Sequence, residues 1–209
     1  MNKKILIVDY KTGNINSIVS AISHLGYDPM FSSELKDLDK AKKIILPGQG
    51  SYDVSMNNLK KTNLYPKLLE KIEKEKIFVL GICVGMHILS TFGHETSGTK
   101  KIDGLNLIKG DVIKLDNHPE KIPHIGWTTV EIKDKSDPIF KKIDNKKDFY
   151  FIHSYKFACK YKNNILANSH YNNEFNCIVR NDNVYGFQFH PEKSLKNGLL
   201  ILKNFLELK

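Results

Sequence analysis

The chain has 209 residues, of which 41% are hydrophobic, and this is enough for one compact domain with a sizeable core. Its net charge of +9 permits an acidic partner, but nearly all the basic residues are lysines, and Arg180 is the only arginine. Because arginine is favoured for bidentate contacts with phosphates and base edges, this composition argues against a nucleic-acid partner.

The N-terminus and the cysteines bear on the compartment. Asp9 interrupts the first apolar stretch, which is therefore too short for the core of a signal peptide. No run approaches the roughly 18 apolar residues that a membrane span requires. The three cysteines, Cys83, Cys159 and Cys177, form no CxxC pair, and their odd number fits a reducing compartment. We therefore expect a cytoplasmic protein with no membrane partner.

The first half of the chain alternates short apolar runs with segments of helical periodicity. Strands that alternate with helices are typical of a parallel sheet that is covered on both faces. Strands are predicted at residues 4–8, 29–31, 43–46 and 77–80, and helices at residues 15–25, at residues 64–76 and from residue 86 onward.

The second half consists mainly of short strand-like runs separated by Gly, Pro, Asn and Asp. These runs indicate antiparallel or mixed strands added to the same sheet. We predict an α/β fold: one three-layer domain over residues 1–209, with a mostly parallel central sheet, helices on both faces and extra antiparallel strands in the C-terminal half. The runs are residues 107–115, 127–132, 148–152, 157–159, 165–169, 176–180 and 184–188, and a helix at residues 195–208 follows them.

The sequence GICVG, residues 81–85, follows a predicted buried strand. A single cysteine in such a place is usually a core residue, but the flanking glycines favour a sharp strand-to-helix turn. On such a turn the Cys83 thiol stands above the sheet, and the N–H of Val84 lies beside the sulfur at the start of a helix. This position favours the thiolate and supplies a donor for an oxyanion.

The sequence QFHPE, residues 188–192, provides a base and an orienting carboxylate. A histidine before proline is often only a loop residue, but Glu192, two residues beyond His190, can reach one nitrogen of its ring. A cysteine nucleophile needs a neighbouring imidazole, which in turn needs an acceptor that orients it. Cys83, His190 and Glu192 are therefore the predicted catalytic residues.

Three further segments have two interpretations each. The sequence PGQG, residues 47–50, is either a turn or a flexible backbone segment whose N–H groups can face a developing oxyanion. It is not a phosphate-binding loop, because no Gly-Lys-Ser/Thr follows it. Residues 123–127, PHIGW, and 150–155, YFIHSY, are either core strands or the wall of a pocket or interface. None of the eight histidines is paired at metal-ligand spacing, so we expect neither a metal nor a cofactor.

Together these segments resemble the class I, triad-type glutamine amidotransferases, and within them the glutaminase subunits of imidazole glycerol phosphate synthases. The cysteine turn with His-Pro-Glu is specific for the superfamily, whereas residues 123–127 and 150–155 and Lys193 indicate the subfamily. The resemblance implies hydrolysis of glutamine to glutamate and ammonia in histidine biosynthesis. It also implies a heterodimer with a (β/α)8-barrel synthase subunit, which receives the ammonia directly.

The resemblance also implies a role for each matching residue. Cys83 attacks the side-chain carbonyl of glutamine, His190 transfers the protons, and Glu192 orients His190. The oxyanion hole is assigned to the N–H of Val84 and to a reoriented peptide among Gly48, Gln49 and Gly50. The substrate-binding residues are His87, Glu95, Ser154 and Tyr155, and the residues expected to face the synthase are Asn14, His124, Trp127, Tyr150 and Lys193.

The chain differs from the usual family pattern at four positions. His87 stands where a glutamine helps to hold the substrate, so we expect glutamine affinity to depend on pH as His87 titrates near neutrality. Gln49, Tyr52 and Thr128 stand where a small apolar residue, phenylalanine and asparagine are usual. Two alternatives remain open: a paralogue that supplies ammonia to a sugar amidotransferase for surface glycans, and a non-catalytic binding or regulatory subunit.

Overall fold

A computed structural model of the chain describes residues 3–11, 15–95, 101–116 and 118–209. Asn14, one of the predicted partner contacts, lies outside these residues. The strands are β1 (Lys4–Val8), β2 (Asp28–Ser32), β3 (Lys43–Leu46), β4 (Phe78–Ile82), β5 (Phe92–Gly93), β6 (Ile102–Asp103), β7 (Gly110–Lys114), β8 (His124–Ile132), β9 (Lys147–His153), β10 (Tyr155–Cys159), β11 (Ile165–Tyr171), β12 (Asn173–Asn181) and β13 (Val184–Phe187). The α-helices are α1 (Asn16–His24), α2 (Leu35–Lys40), α3 (Tyr52–Lys61), α4 (Tyr65–Glu73), α5 (Val84–His87) and α6 (Leu195–Glu207).

One half of the sheet is parallel, in the strand order β2-β1-β3-β4-β13. All four residues of β3 and of β13 are buried, as expected for strands that are covered on both faces and are therefore rich in apolar side chains. The chain moves one way along the sheet from β1 to β2 and the opposite way from β2 to β3 and β4. Because crossovers between parallel strands are right-handed, α1 lies on one face and α2, α3 and α4 lie on the other.

The other half of the sheet is mixed, as the turn-rich second half of the sequence predicts. β12 pairs antiparallel with β13, β10 and β11, so the sheet branches at this strand. One branch continues through β7 to β5 and β6, and the other continues through β8 to β9. The result is the predicted single-domain α/β fold, with a parallel half and added antiparallel strands. No helix of the described residues is long and apolar enough to cross a membrane.

Candidate active site

The parallel half of the sheet brings the predicted catalytic segments to one edge. β3, β4 and β13 are neighbours in the same direction, and their carboxyl ends lead into residues 48–50, Cys83 and His190. Ligands of open α/β sheets bind at this edge, outside the carboxyl ends of the strands. The Cys83 N–H donates to the carbonyl of Phe187 at 2.8 Å, which joins the two catalytic loops directly.

Cys83 occupies a strained turn between β4 and α5. Its φ of 53° and ψ of −112° are unfavourable for a side chain with a Cβ, and such strain persists only where the surroundings enforce it. Backbone packing is the enforcing factor here. A Cβ on Gly81 would strike the carbonyl oxygen of Gly85, and one on Gly85 would strike the carbonyl oxygen of Leu46.

His190 is held between Glu192 and the cysteine. Its Nδ1 lies 2.9 Å from Glu192 Oε1, and both side chains are buried. Its other nitrogen, Nε2, has no nitrogen or oxygen partner among the described residues. Burial alone would lower the pKa of His190, but hydrogen bonding and charge interactions with Cys83 and Glu192 outweigh burial and raise it from 6.5 to about 10. The imidazolium form of His190 is therefore favoured at neutral pH.

A cavity of about 460 Å³ opens beside the triad and gathers most of the predicted site residues. Cys83 and His190 both line it, whereas Glu192 lies behind the histidine ring. Cys83 Sγ is 3.7 Å from the carbonyl oxygen of Ile152, a residue of β9 that also lines the cavity. The other lining residues are Gln49, Gly50, Val84, His87, Glu95, Pro123, His153, Ser154, Tyr155 and Lys193.

The predicted oxyanion segment lies at the rim of this cavity. Gln49 and Gly50 line it, and Gly50 has a φ of 106°, which a side chain would strain. Gly48 is buried against the cysteine turn, where a Cβ would strike Gly85 N. The hydroxyl of buried Tyr10, after β1, donates to the carbonyl of Pro47 and ties the start of this segment to the N-terminal loop.

His87 lines the cavity, but the expectation that it titrates near neutrality is wrong. Its side chain is 2% exposed, and burial lowers its pKa to about 4, although a hydrogen bond with Gln188 acts in the opposite direction. His87 Nε2 lies 2.7 Å from Gln188 Oε1, and Nδ1 is buried with no partner among the described residues. His87 is therefore a neutral group in the physiological pH range.

Glu95 also lines the cavity. Its Oε2 accepts a hydrogen bond from the backbone N–H of Tyr52 at 3.0 Å, at the first residue of α3. Burial raises the pKa of Glu95, and this backbone hydrogen bond partly offsets the effect. A carboxylate in this position can bind an ammonium group, as the predicted contact with the α-amino group of glutamine requires.

The predicted partner residues do not all lie on the surface. Trp127 is 48% exposed and packs edge to face against Tyr150, with ring centroids 6.0 Å apart. Lys193 is exposed at the cavity rim. His124 is only 2% exposed, so the prediction that it contacts a partner directly is wrong. Side chains alternate along β8, and His124 points inward where Ile125 and Trp127 point outward.

Sequence reasoning missed several residues that shape the site. Ser194 Oγ donates to the carbonyl of His190 at 2.7 Å and accepts from the N–H of Tyr150 at 2.9 Å, which fixes the histidine loop to β9. Gln188, the first residue of QFHPE, holds His87. The motifs contain or adjoin both residues, but their partners lie 44 and 101 positions away in sequence. Among the described residues, no three His, Cys, Asp or Glu side chains gather as a metal site.

Comparisons with known proteins identify the family. Residues 6–208 match the family model for glutamine amidotransferase class-I. The chain therefore belongs to the class-I glutamine amidotransferases.

Individual relatives agree with this family. The chain is 41% identical to imidazole glycerol phosphate synthase subunit HisH 2 of Methanococcus maripaludis, over 97% of this chain and 98% of that protein. It is 40% identical to imidazole glycerol phosphate synthase subunit HisH 1 of Campylobacter jejuni, over 98% of this chain and 100% of that protein. Similar folds include a chain of PurLQS from Thermotoga maritima, with a TM-score of 0.79, 18% identity and coverage of 99% and 98%. The glutaminase domain of Trypanosoma brucei CTPS, solved with bound acivicin, gives a TM-score of 0.66 at 15% identity, over 99% of this chain and 94% of that one.

Proposed function

We propose that the chain, residues 1–209 as one domain, is the cytoplasmic glutaminase subunit of an imidazole glycerol phosphate synthase in histidine biosynthesis. The observation that carries the chemistry is the strained Cys83 beside the buried His190–Glu192 pair, in one cavity with Glu95. The relatives at about 40% identity over nearly the full length carry that subunit's name.

The reaction follows from these positions. The Cys83 thiolate attacks the side-chain carbonyl carbon of glutamine, and the carbonyl π electrons move to its oxygen. Protonated His190 then donates a proton to the departing nitrogen, so ammonia leaves and a thioester remains. Neutral His190 next takes a proton from water as the water oxygen attacks the thioester carbon. The C–S bond then breaks, its electron pair returns to Cys83 as the thiolate, and glutamate leaves. Glu192 stabilises the imidazolium in both steps.

Two donors are proposed for the oxyanion. The N–H of Val84, at the first position of α5, has no acceptor within the helix. The second donor is a peptide N–H among residues 48–50, after reorientation. Ser154, Tyr155 and His87 also line the cavity and are proposed to hold the other end of the amino acid.

The proposed partner surface is the outer face of the β8–β9 pair. Ile125 lies opposite Ile152 in the register, and Trp127 lies opposite Tyr150. Ile125, Trp127 and Ile152 are 38% to 57% exposed and form an apolar patch beside the cavity mouth. Lys193 adds a positive charge at this mouth. A (β/α)8-barrel synthase docked here would cover the cavity mouth, so ammonia could pass to it without release.

The catalytic proposal is tested by measuring glutamate release by the complex with a candidate barrel subunit. The Cys83→Ala variant should lose turnover while it still binds the barrel. Cys177→Ala is the matched control, because Cys177 is fully buried in β12 and lies away from the cavity. Normal turnover by Cys83→Ala would disprove the mechanism.

The same assay tests whether the barrel subunit and its ligand stimulate the glutaminase activity. We expect low glutaminase activity of the isolated subunit and stimulation by the barrel with its ligand, because partner contacts can bias a peptide among residues 48–50 toward the oxyanion geometry. Equal turnover with and without the liganded barrel would refute the coupling while leaving the hydrolysis itself intact.

A second acceptor is also proposed for testing. Methanococcus maripaludis has two relatives of this chain, named HisH 1 and HisH 2, at 42% and 41% identity. Two copies in one organism are compatible with two acceptors, one of them a sugar. Co-purification from the native host distinguishes the two, since the bound subunit is either a histidine-pathway barrel or a sugar amidotransferase.

Labelling of Cys83 by a reactive glutamine analogue tests the remaining alternative, a non-catalytic binding subunit. The thiol of a binding-only subunit would remain unlabelled.

A further inference from the structure

A chain of three hydrogen bonds runs beneath the proposed partner surface. The Thr128 hydroxyl oxygen lies 2.8 Å from His124 Nε2, and His124 Nδ1 lies 2.9 Å from His153 Nε2. The chain ends where His153 Nδ1 lies 2.8 Å from the carbonyl oxygen of Tyr155. Both histidines are buried, at 2% and 6% exposure.

The chemistry of the last acceptor sets the direction of every bond. A carbonyl oxygen only accepts, so the proton of His153 is on Nδ1 and its Nε2 is an acceptor. The proton of neutral His124 must then be on Nδ1, facing His153. His124 Nε2 is therefore an acceptor, and the Thr128 hydroxyl donates to it. In the other tautomer of His124, two lone pairs would face each other at 2.9 Å.

The two ends of this series of hydrogen bonds lie in different parts of the molecule. Thr128 and His124 belong to β8, whose outer face carries exposed Ile125 and Trp127. His153 and Tyr155 flank Ser154 between β9 and β10, and all three line the cavity. The carbonyl of the preceding residue, Ile152, faces Cys83 Sγ. The His153–Tyr155 bond therefore closes the turn that forms the cavity wall.

Aromatic rings leave His124 little freedom to turn away from this arrangement. Its ring stacks on Tyr171 at a centroid distance of 4.1 Å and on Phe151 at 5.1 Å. The ring position is fixed by these contacts and the tautomer by His153, so the Thr128 hydroxyl acts on the strength of the linked hydrogen bonds.

We propose that Thr128 is a positioning residue for glutamine binding: its hydroxyl donates the first hydrogen bond of this series and, through His124 and His153, strengthens the bond that holds the wall at residues 152–155. This inference rests on the proposed function, because it takes that wall as a glutamine contact. Thr128 itself does not line the cavity.

The test compares Thr128→Val, which keeps the shape and removes the hydroxyl, with Thr128→Ser, which keeps the donor. Thr128→Val in the complex with the barrel should raise KM for glutamine about twofold to fivefold, the upper value being the full effect of one lost hydrogen bond, with kcat within about twofold of wild type. Thr128→Ser should restore KM. Thr91→Val is the matched control, because the Thr91 hydroxyl donates to Asn106 at 3.1 Å and Thr91 lies outside both the cavity and the β8–β9 pair.

Imidazole nitrogen NMR provides a readout that does not depend on glutaminase activity. We expect His124 to carry its proton on Nδ1 in both the wild-type chain and Thr128→Val, and we expect the Nε2 resonance to shift in the variant because that nitrogen loses its donor. A wild-type proton on Nε2 of His124, or an unchanged KM in Thr128→Val, would overturn the inference. A wild-type complex that releases no glutamate would instead overturn the proposed function, and the NMR result would still decide the tautomer.

Discussion

Cys83 and His190 illustrate what single residues contribute to this site. The glycines around Cys83 predict a sharp turn, and the backbone there has a φ of 53°. His-Pro-Glu predicts a carboxylate on the imidazole, and the structure has this contact at 2.9 Å. The environment of His87 is not predictable in the same way, because its contact is with Gln188, which follows β13 and lies 101 residues further along the chain.

The carboxylate of Glu192 is tested by Glu192→Gln. Because the charge of Glu192 helps to raise the pKa of His190 to about 10, the variant should have a lower His190 pKa, measurable by NMR titration. We expect kcat to fall on the order of a hundredfold or more, with little change in KM, since Glu192 lies behind the ring and outside the cavity. Glu174→Gln, which removes an exposed carboxylate paired with Lys133, is the control. An unchanged pKa and kcat in Glu192→Gln would contradict the triad.

His87 leads to a prediction about pH. A pKa lowered to about 4 leaves His87 neutral above roughly pH 5, so its protonation cannot modulate glutamine binding between pH 6 and 8. We expect the pH profiles of KM for wild type and His87→Gln to run parallel over this range and to diverge only as the pH falls toward 4. Steady-state kinetics in a constant-ionic-strength buffer measures this. Divergence centred near pH 6.5 would show that His87 titrates normally.

Elements were predicted well where the hydrophobic pattern is strong. β1 and β3 have the predicted bounds, and α1, α4 and α6 begin and end within three residues of theirs. α2 and α3 were missed. The buried residues of α3, Tyr52, Ser55, Met56 and Leu59, have helical spacing, but a serine among them and the polar residues between them weaken the pattern. The helix expected from residue 86 is α5, which begins at Val84 and has only four residues.

The close packing of the cysteine turn on β3 predicts different effects for two glycine substitutions. Gly85→Ala places a Cβ against the carbonyl oxygen of Leu46, so the free energy of unfolding should fall by about 3 kcal/mol or more. The Cβ of Gly50→Ala would lie in open space, and only the backbone φ of 106° would strain it. The free energy of unfolding should therefore fall by about 1 kcal/mol. Urea denaturation of both variants measures the difference. Equal losses would mean that the turn relaxes around the added methyl group.

At the scale of the whole molecule, sheet order decides what the cavity contains. The two motifs that carry the chemistry are more than a hundred residues apart, and they meet because β13 inserts next to β4 as a parallel strand. The same order places Lys43, at the start of β3, beneath the C-terminal helix. Its ammonium donates to the carbonyl of Leu208 at 2.7 Å and lies 4.3 Å from the ring centre of Phe78.

Lys43 predicts how the stability of the whole molecule depends on pH. Burial lowers its pKa from 10.5 to about 8, so between these values the unfolded chain binds a proton that the folded chain lacks. The free energy of unfolding should therefore rise with pH in this window, by about 3 kcal/mol at most, and the gain is lost as pH falls through 8.

Lys43→Met should remove this dependence and make the protein more stable than wild type at pH 7, because no ammonium is then buried. Urea denaturation at pH 7 and pH 9.5 measures both effects. Lys42→Met is the matched control, since Lys42 is exposed. If the free energy of unfolding changes between pH 7 and pH 9.5 by the same amount in wild type and in Lys43→Met, the lowered pKa of Lys43 is contradicted.

The sequence by itself determined the α/β class, the strand-to-helix turn at Cys83 and the His190–Glu192 pair, because these depend on local periodicity, glycine conformation and neighbours two residues apart. The tertiary structure decided the rest. Burial of His124 and His87, the hydrogen-bond chain from Thr128 to Tyr155, and the cavity between Glu95 and the triad all arise from contacts between distant segments. Their burial and electrostatics depend on which strands are neighbours, and no local pattern of residues encodes that order.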